Sequence, residues 1–263
     1  MKDIDERTAQ KLAGSLTASD PELLLYLPYL LQDLWALGTL PELVCELVRG
    51  HIPEPGQVSF LDLACGKGAV SVSLARAFGC RVDGFDLFPE FVEYARARAD
   101  EESLGRLCRF ETADVKEVVQ TARGYGGVIF GAAGDILGSP AETVSSLAAV
   151  VNPHGYILID DAYLRESGET VKYDNYPYLT RSRWLDLFTE QGLELIAEET
   201  SGDSGEAGED VRKIETRAGE LAAKYPEQRA LFEGYVRSQW DEVGDLDQAV
   251  CGVVWLLRRE ESR

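Results

Sequence analysis

The most constraining stretch of the chain is residues 58–87, VSFLDLACGKGAVSVSLARAFGCRVDGFDL. A short, nearly continuous apolar run contains one acid near its end, Asp62. Three small residues at alternating positions follow: Ala64, Gly66 and Gly68. A helical pattern starts at Ala69, and a second apolar run ends in another acid, Asp86. Apolar runs of this kind predict strands buried on both faces. Strand, small-residue loop, helix and strand predict a parallel β–α–β unit with a right-handed crossover. Small residues let a ligand approach the backbone, and the helix N-terminus offers unpaired N–H groups. Asp86, placed at the tip of the second strand, suits a carboxylate that accepts hydrogen bonds from a ribose diol.

The rest of the chain extends this unit. Helices are predicted at Ala69 to Phe78, Pro89 to Ala99, Val115 to Thr121 and Ser139-Pro140 to Val151. Between them lie the apolar segments LCRFET and GGVIFGAA, and after a turn at Asn152–Gly155 comes YILIDD. Five strands alternating with helices predict a doubly wound parallel sheet. Residues 1–55 read as a helical cap. Asp20-Pro21 begins one helix, Pro28 restarts it for YLLQDLWAL up to Gly38, and Pro41 to Arg49 is a third helix closed by Gly50. Residues 56–263 read as the core. Its later part has a tyrosine-rich loop (YDNYPY, 173–178), a helix Thr180–Gln191, a strand LELIAEE and a flexible acidic loop SGDSGEAGED. A helical insertion within 205–245, interrupted at Pro226, precedes a last strand, AVCGVVWLLRR. The prediction is an α/β, Rossmann-like, doubly wound seven-stranded sheet, mostly parallel with the last strand antiparallel.

Two ligand classes suit the loop after the first strand. A dinucleotide wants G-x-G-x-x-G, so that pyrophosphate sits on the helix N-terminus. Here the third position is Ser71, and Asp62 puts an anion where a pyrophosphate is disfavoured. An acid there suits a ligand with a positive amine or sulfonium. The segment resembles motif I of the class I S-adenosylmethionine-dependent methyltransferases, with Ala64 in place of the first of three alternating glycines. Among these it is similar to the small-molecule enzymes of the ubiquinone-biosynthesis type. The resemblance implies S-adenosylmethionine as cofactor and S-adenosylhomocysteine as product. It implies that Asp62, Ala64, Gly66, Gly68, Asp86 and Leu87 hold the cofactor. It also implies that Asp114 meets the adenine amine, Val115 supplies a backbone contact, and Gly131 lies beneath the methionine part. The N-terminal helix carrying Tyr26, Tyr29, Gln32, Asp33 and Trp35 is expected to close over the cofactor. Two other readings are a non-catalytic cofactor-binding scaffold and an NAD-dependent oxidoreductase. The second is weakened by Asp62 and the missing third glycine.

An already activated methyl group needs an aligned nucleophile and exclusion of water. A base is needed only where the nucleophile carries a proton. Acceptor-side residues are expected at the carboxyl ends of the fourth and fifth strands. The candidates are Asp135, Asp160 with its neighbour Asp161, and Tyr176 of an aromatic wall formed with Tyr173 and Tyr178. His154 precedes the fifth strand on the far side and reads as structural. An acid after the fourth strand and an acid pair after the fifth resemble the Mg-dependent catechol-type O-methyltransferases. Those lack an insertion like this one, so no metal is expected.

Composition narrows the partners. With 26 Lys+Arg against 46 Asp+Glu, the net charge is −20, which repels phosphate backbones and argues against nucleic acid. No apolar run reaches the length of a membrane span, and the first residues show no secretory pattern. The five cysteines have no C-x-x-C spacing and read as thiols of a reducing cytoplasm. The expected partner is a small-molecule acceptor. A homodimer through Leu231, Phe232, Tyr235, Val236 and Trp240 is an alternative use of the insertion.

Overall fold

The computed structural model describes residues 13–14, 20–165, 170–173, 176–201 and 204–261. Strands form at Ser59–Leu63 (β1), Arg81–Asp86 (β2), Cys108–Thr112 (β3), Tyr125–Gly131 (β4) and Val151–Leu164 (β5). They are followed by a two-residue strand Leu179–Thr180 (β6), then Leu193–Ser201 (β7) and Val250–Arg259 (β8). The sheet order is β3-β2-β1-β4-β5-β8-β7, with β6 paired to the end of β5. β1 to β5 pair in parallel, and β8 runs antiparallel to both β5 and β7. The chain steps outward from β1 to β3 and then returns to β4 beside β1. The carboxyl ends of β1 and β4 therefore border the switch-point crevice of a doubly wound sheet.

Nine α-helices surround the sheet among the described residues. They are Leu27–Leu30 (α1), Pro41–His51 (α2), Ala69–Phe78 (α3), Pro89–Glu101 (α4), Val115–Thr121 (α5), Pro140–Val150 (α6), Arg181–Glu190 (α7), Ser204–Lys224 (α8) and Arg229–Gln248 (α9). Local chemistry fixes several starts. Asp114 caps α5 by accepting from Lys116 N–H, Thr180 caps α7, and Ser139 with Glu142 forms a reciprocal capping box at α6. Alternation along each strand sends side chains to opposite faces. Phe60, Ile129, Leu158 and Val254 pack with Val48 of α2 and Leu74 of α3. Leu61, Phe130, Ile159 and Trp255 pack on the other face with Trp184, Phe188, Phe232 and the cap leucines Leu23, Leu27 and Leu30. Trp255 is met by Trp184 at 5.1 Å and by Phe188 edge-on at 5.5 Å.

The expected alternation is therefore present, and the departures are local. The helix expected from Pro28 to Gly38 stops after α1, and residues 31–33 turn away. α2 continues through Gly50 to His51. Most of the expected acidic loop is helix, because α8 begins at Ser204. The Asn152–Gly155 turn is an excursion in the β4–β5 ladder: Tyr125 pairs with Val151 and Gly127 with Tyr156. His154 sits there at φ 64, half exposed, 3.5 Å from Glu261 and far along β5 from its carboxyl end. Phe232 and Tyr235, offered as a dimer face, are buried in the chain's own core. Tyr26 meets the Phe232 ring edge-on at 5.0 Å. Asp174 and Asn175 of the tyrosine-rich loop lie outside the described residues.

Candidate active site

The loop from β1 to α3 takes its shape from three left-handed residues, Ala64 (φ 58), Gly66 (φ 51) and Gly68 (φ 77). Their alternation explains the small-residue spacing. A side chain on Gly68 would strike Ala95 Cβ at 2.8 Å and Phe110 Cζ at 2.9 Å, so this glycine serves packing behind the loop. Asp86 holds the loop from the other side. Its Oδ2 accepts from Gly66 N–H at 2.8 Å, and its Oδ1 accepts from Phe88 N–H at 2.9 Å. Asp62 at the end of β1 is 3% exposed, and Ser71 Oγ donates to its Oδ2 at 2.5 Å.

Two adjoining cavities open over this loop. The larger, about 650 Å³, is lined by Ala64, Gly66, Asp86, Leu87, Asp114, Val115 and Gly131, all expected from the sequence. Leu37, Phe88, Phe91, Ala132, Ala133 and Ile136 complete it. The smaller, about 360 Å³, holds Asp62 together with Trp35, Thr39, Cys65, Lys67, Ala69, Val70 and Ile129. Leu37, Ala64, Gly66 and Gly131 line both. Gly68 lines neither. In the smaller cavity the Thr39 hydroxyl and the Trp35 indole N–H are buried without a hydrogen-bond partner. Buried donors of this kind call for a ligand acceptor.

The cap forms the roof through Trp35, Leu37 and Thr39. Its anchor is Lys67, a residue the motif reading passed over. Lys67 is 4% exposed, and its ammonium donates to the carbonyls of Leu31 (2.6 Å), Gln32 (3.1 Å) and Leu34 (2.6 Å). The Tyr94 ring lies 5.0 Å beneath it. From outside, α8 and its following turn hold the cap: Arg217 donates twice to Asp33, Tyr29 donates to Glu220, and Tyr26 donates to Gln228. The expected closure of the N-terminal segment over the loop is thus present, by turns rather than by one helix.

Asp135, Asp160 and Tyr176 line neither of these cavities; Asp135 precedes Ile136, which lines the larger one. Asp160 is the ladder partner of Gly131, and Ala132 N–H donates to its carbonyl at 3.0 Å. Tyr176 donates to Asp161 Oδ2 at 2.6 Å, so Asp161, not Asp160, is the carboxylate it engages. The Tyr178 ring meets Tyr176 at 5.0 Å and 79°. Asp135 is near enough to act on the Tyr176 hydroxyl.

Burial dominates the electrostatics. It pushes the carboxyl of Asp62 up to about 7, with Ser71 opposing, and that of Asp86 up to about 6, with the Phe88 and Gly66 amides opposing. Burial likewise raises Asp160 to about 6 and Asp161 to about 7. The Thr39 hydroxyl beside Asp160 pulls the other way, although it falls short of a formed hydrogen bond. Burial lowers Lys67 to about 8, opposed by the Asp33 carboxylate. Among the described residues no group of three or more His, Cys, Asp or Glu is placed to hold a metal ion. No described helix is long and apolar enough to cross a membrane.

Known proteins share this fold. A methyltransferase domain family matches residues 60–155, which run from within β1 to the end of the β4–β5 excursion at Gly155. The mitochondrial ubiquinone biosynthesis O-methyltransferase of Arabidopsis thaliana is 27% identical over 160 residues, 60% of this chain and 48% of that protein. The chain spans between about half and two thirds of the length of the curated relatives it matches. A SAM-dependent methyltransferase from Thiobacillus denitrificans, solved with S-adenosyl-L-homocysteine, superposes with a TM-score of 0.73 at 20% identity, covering 88% of this chain and 96% of that one. A [4+2]-cyclase superposes with a TM-score of 0.72 at 16% identity, covering 92% and 94%.

Proposed function

We propose that this chain, which carries a methyltransferase domain over residues 60–155, transfers a methyl group from S-adenosylmethionine to a small-molecule acceptor. One observation carries the reading. Two buried acids, Asp62 and Asp86, flank a left-handed small-residue loop beside adjoining cavities. That arrangement suits a cationic nucleoside and disfavours a dinucleotide. The residues fit the cofactor. Asp86 would take the ribose hydroxyls, Asp114 and Val115 the adenine edge, and Gly66 and Gly131 would permit close approach. Asp62 would face the ammonium end, and the orphan donors on Thr39 and Trp35 would meet its carboxylate. The cofactor supplies an activated methyl group on sulfur. The chain's part is to bind, to align the acceptor and, through the cap, to keep water out. The unpaired cysteines suit a reducing cytoplasm.

Fold alone does not settle the reaction, as the cyclase likeness illustrates. Calorimetric titration with S-adenosylhomocysteine tests the reading. Binding in the micromolar range is expected. Asp86→Asn, which keeps the side-chain shape but removes the charge, should weaken it by about 10- to 100-fold. Mass spectrometry of the copurifying ligand is a second test. Recovery of NAD, or unchanged titration heats in the variant, would overturn the assignment.

A further inference from the structure

We propose that the roof turn of residues 35–39 is a carboxylate-sensing gate. It lifts to admit a ligand that spans both cavities. It closes fully only on one whose carboxylate is bound by the Thr39 hydroxyl and the Trp35 indole N–H. This rests on the methyl-transfer reading and goes beyond it, because it makes the cap the element that selects among adenosine-bearing ligands.

Three observations lead there. First, the turn divides the crevice. Leu37 lines both cavities, and a Cβ on Gly66 beneath it would fall 3.1 Å from Leu37 Cδ1. A Cβ on Gly38 would fall 2.6 Å from Ala132 Cβ, and one on Gly131 would strike the Thr39 hydroxyl first. The roof thus rests on the floor through Leu37, Gly38 and Thr39 in turn. A ligand with its nucleoside in the larger cavity and its amino-acid end in the smaller has to lie between Leu37 and Gly66, so the turn has to rise.

Second, the turn is free to move between fixed posts. On one side Lys67 holds the carbonyls of Leu31, Gln32 and Leu34. On the other, α2 begins at Pro41. Residues 35–39 make no backbone–backbone hydrogen bond among the described residues, so little local structure resists their opening. Gly38, at φ 97, is a pivot in a conformation that glycine takes without strain.

Third, the closed turn is chemically incomplete. Thr39 is 6% exposed, and its hydroxyl has no hydrogen-bond partner. It stands over Gly131, which lines both cavities. The Trp35 indole N–H is buried and unpartnered in the wall of the same smaller cavity. Unpaired buried donors are costly until an acceptor arrives. Asp62 brings an acid to that cavity from the floor. Donors above and an acid below match an amino-acid zwitterion, and hydrogen bonds to an ionised acceptor are the strong ones. A ligand without the carboxylate leaves both roof donors unpaired.

Calorimetric titration tests the sensing with S-adenosylhomocysteine and decarboxylated S-adenosylhomocysteine. The first should bind at least about tenfold more tightly. Thr39→Val and Trp35→Phe should each shrink that ratio several-fold, and Thr39→Ser should keep it. A merely structural role would weaken both ligands alike and lower the melting temperature with them. Stopped-flow dissociation tests the gate. Gly38→Ala sets a methyl group against that of Ala132 and props the turn off its floor. Leu37→Ala removes the divider without adding bulk. Each should speed release of S-adenosylhomocysteine several-fold. Equal binding of the two ligands, a ratio unmoved in the Thr39 and Trp35 variants, or unchanged release in both gate variants overturns this inference alone. No binding of S-adenosylhomocysteine by the unmodified protein overturns the methyl-transfer reading, and this inference with it.

Discussion

At the scale of single residues, Lys67 does the most with the least sequence signal. It lies between Gly66 and Gly68, where attention goes to the glycines. Its three ammonium protons satisfy three carbonyls that are 33 to 36 residues earlier in the chain. Replacing it by Met keeps the stem and removes the donors. The buried Leu34 carbonyl then loses the Lys67 bond, while that of Leu31 keeps the Leu34 N–H, at a cost of about 1–3 kcal/mol. Thermal or urea unfolding of Lys67→Met checks this. Arginine should not rescue it, because a planar guanidinium cannot point three donors at converging carbonyls. An arginine variant as stable as the parent would refute the account. Ala64 is a smaller case. It holds φ 58 without being glycine, a strain of about 1 kcal/mol. The sequence flags it as the departure from three glycines, and the structure shows the same left-handed turn made with a methyl group present. That Ala64, Gly66, Asp86, Asp114 and Gly131 line one crevice was legible because each is fixed by local geometry: a strand end, a turn, a cap. Asp161 was harder, since its pairing with Tyr176 depends on how a later loop folds back.

At the scale of elements, the same lysine explains why one predicted helix is missing. A helix continuing past Pro28 would use the Leu31 carbonyl for residue 35 and the Leu34 carbonyl for residue 38. Lys67 takes both, so α1 ends after one turn and the chain is free to place Trp35, Leu37 and Thr39 over the cavities. No local pattern reports a partner so distant in sequence. The opposite error occurred at 204–210. Serines, glycines and acids there read as a loop, yet acids in the opening turns of a helix are favoured by its dipole. Tertiary contact finishes the choice: Gly208 lies against the Trp240 ring, where a Cβ would fall at 3.7 Å. The five core strands were legible because buried parallel strands carry their own apolar signal. α8 then acts as a strap on the cap. Arg217 holds Asp33 below the usual carboxylate range by a forked pair of hydrogen bonds. Arg217→Ala should leave the core intact while raising amide hydrogen exchange across 21–40 by about threefold or more. It should also speed dissociation of S-adenosylhomocysteine to a similar degree. Exchange rising equally in β1 and β4 would mean a global effect and reject the strap.

At the scale of the whole molecule, acidity has two separable parts. Most of the −20 charge is on surfaces and acts as diffuse repulsion. A smaller part is buried at the carboxyl edge of the sheet: Asp62 and Asp161 are raised to about 7, Asp86 and Asp160 to about 6. A carboxyl whose folded value exceeds its unfolded value keeps its proton longer in the folded chain. Between about pH 4 and pH 7 the unfolded state therefore binds fewer protons, and stability falls as pH rises. The stabilising contribution is full below the ordinary carboxylate range and gone above about 7. The ligand-free melting temperature should thus decline from pH 5 to pH 8. Surface repulsion has the same sign, but salt screens it, with a Debye length of about 4 Å at 0.5 M, while buried groups are screened much less. A decline that survives 0.5 M salt belongs to the buried acids, and Asp62→Asn should reduce it. A ligand whose ammonium lies beside Asp62 and whose ribose hydroxyls donate to Asp86 would reverse part of the penalty by favouring the ionised forms of these two acids. Added S-adenosylhomocysteine should accordingly flatten the slope, and its affinity should strengthen as pH rises through 7, with protons released on binding. Differential scanning calorimetry across that range, with and without ligand, checks both. A ligand-free melting temperature that climbs between pH 5 and 8 in high salt would show that these four acids are not held as the fold places them.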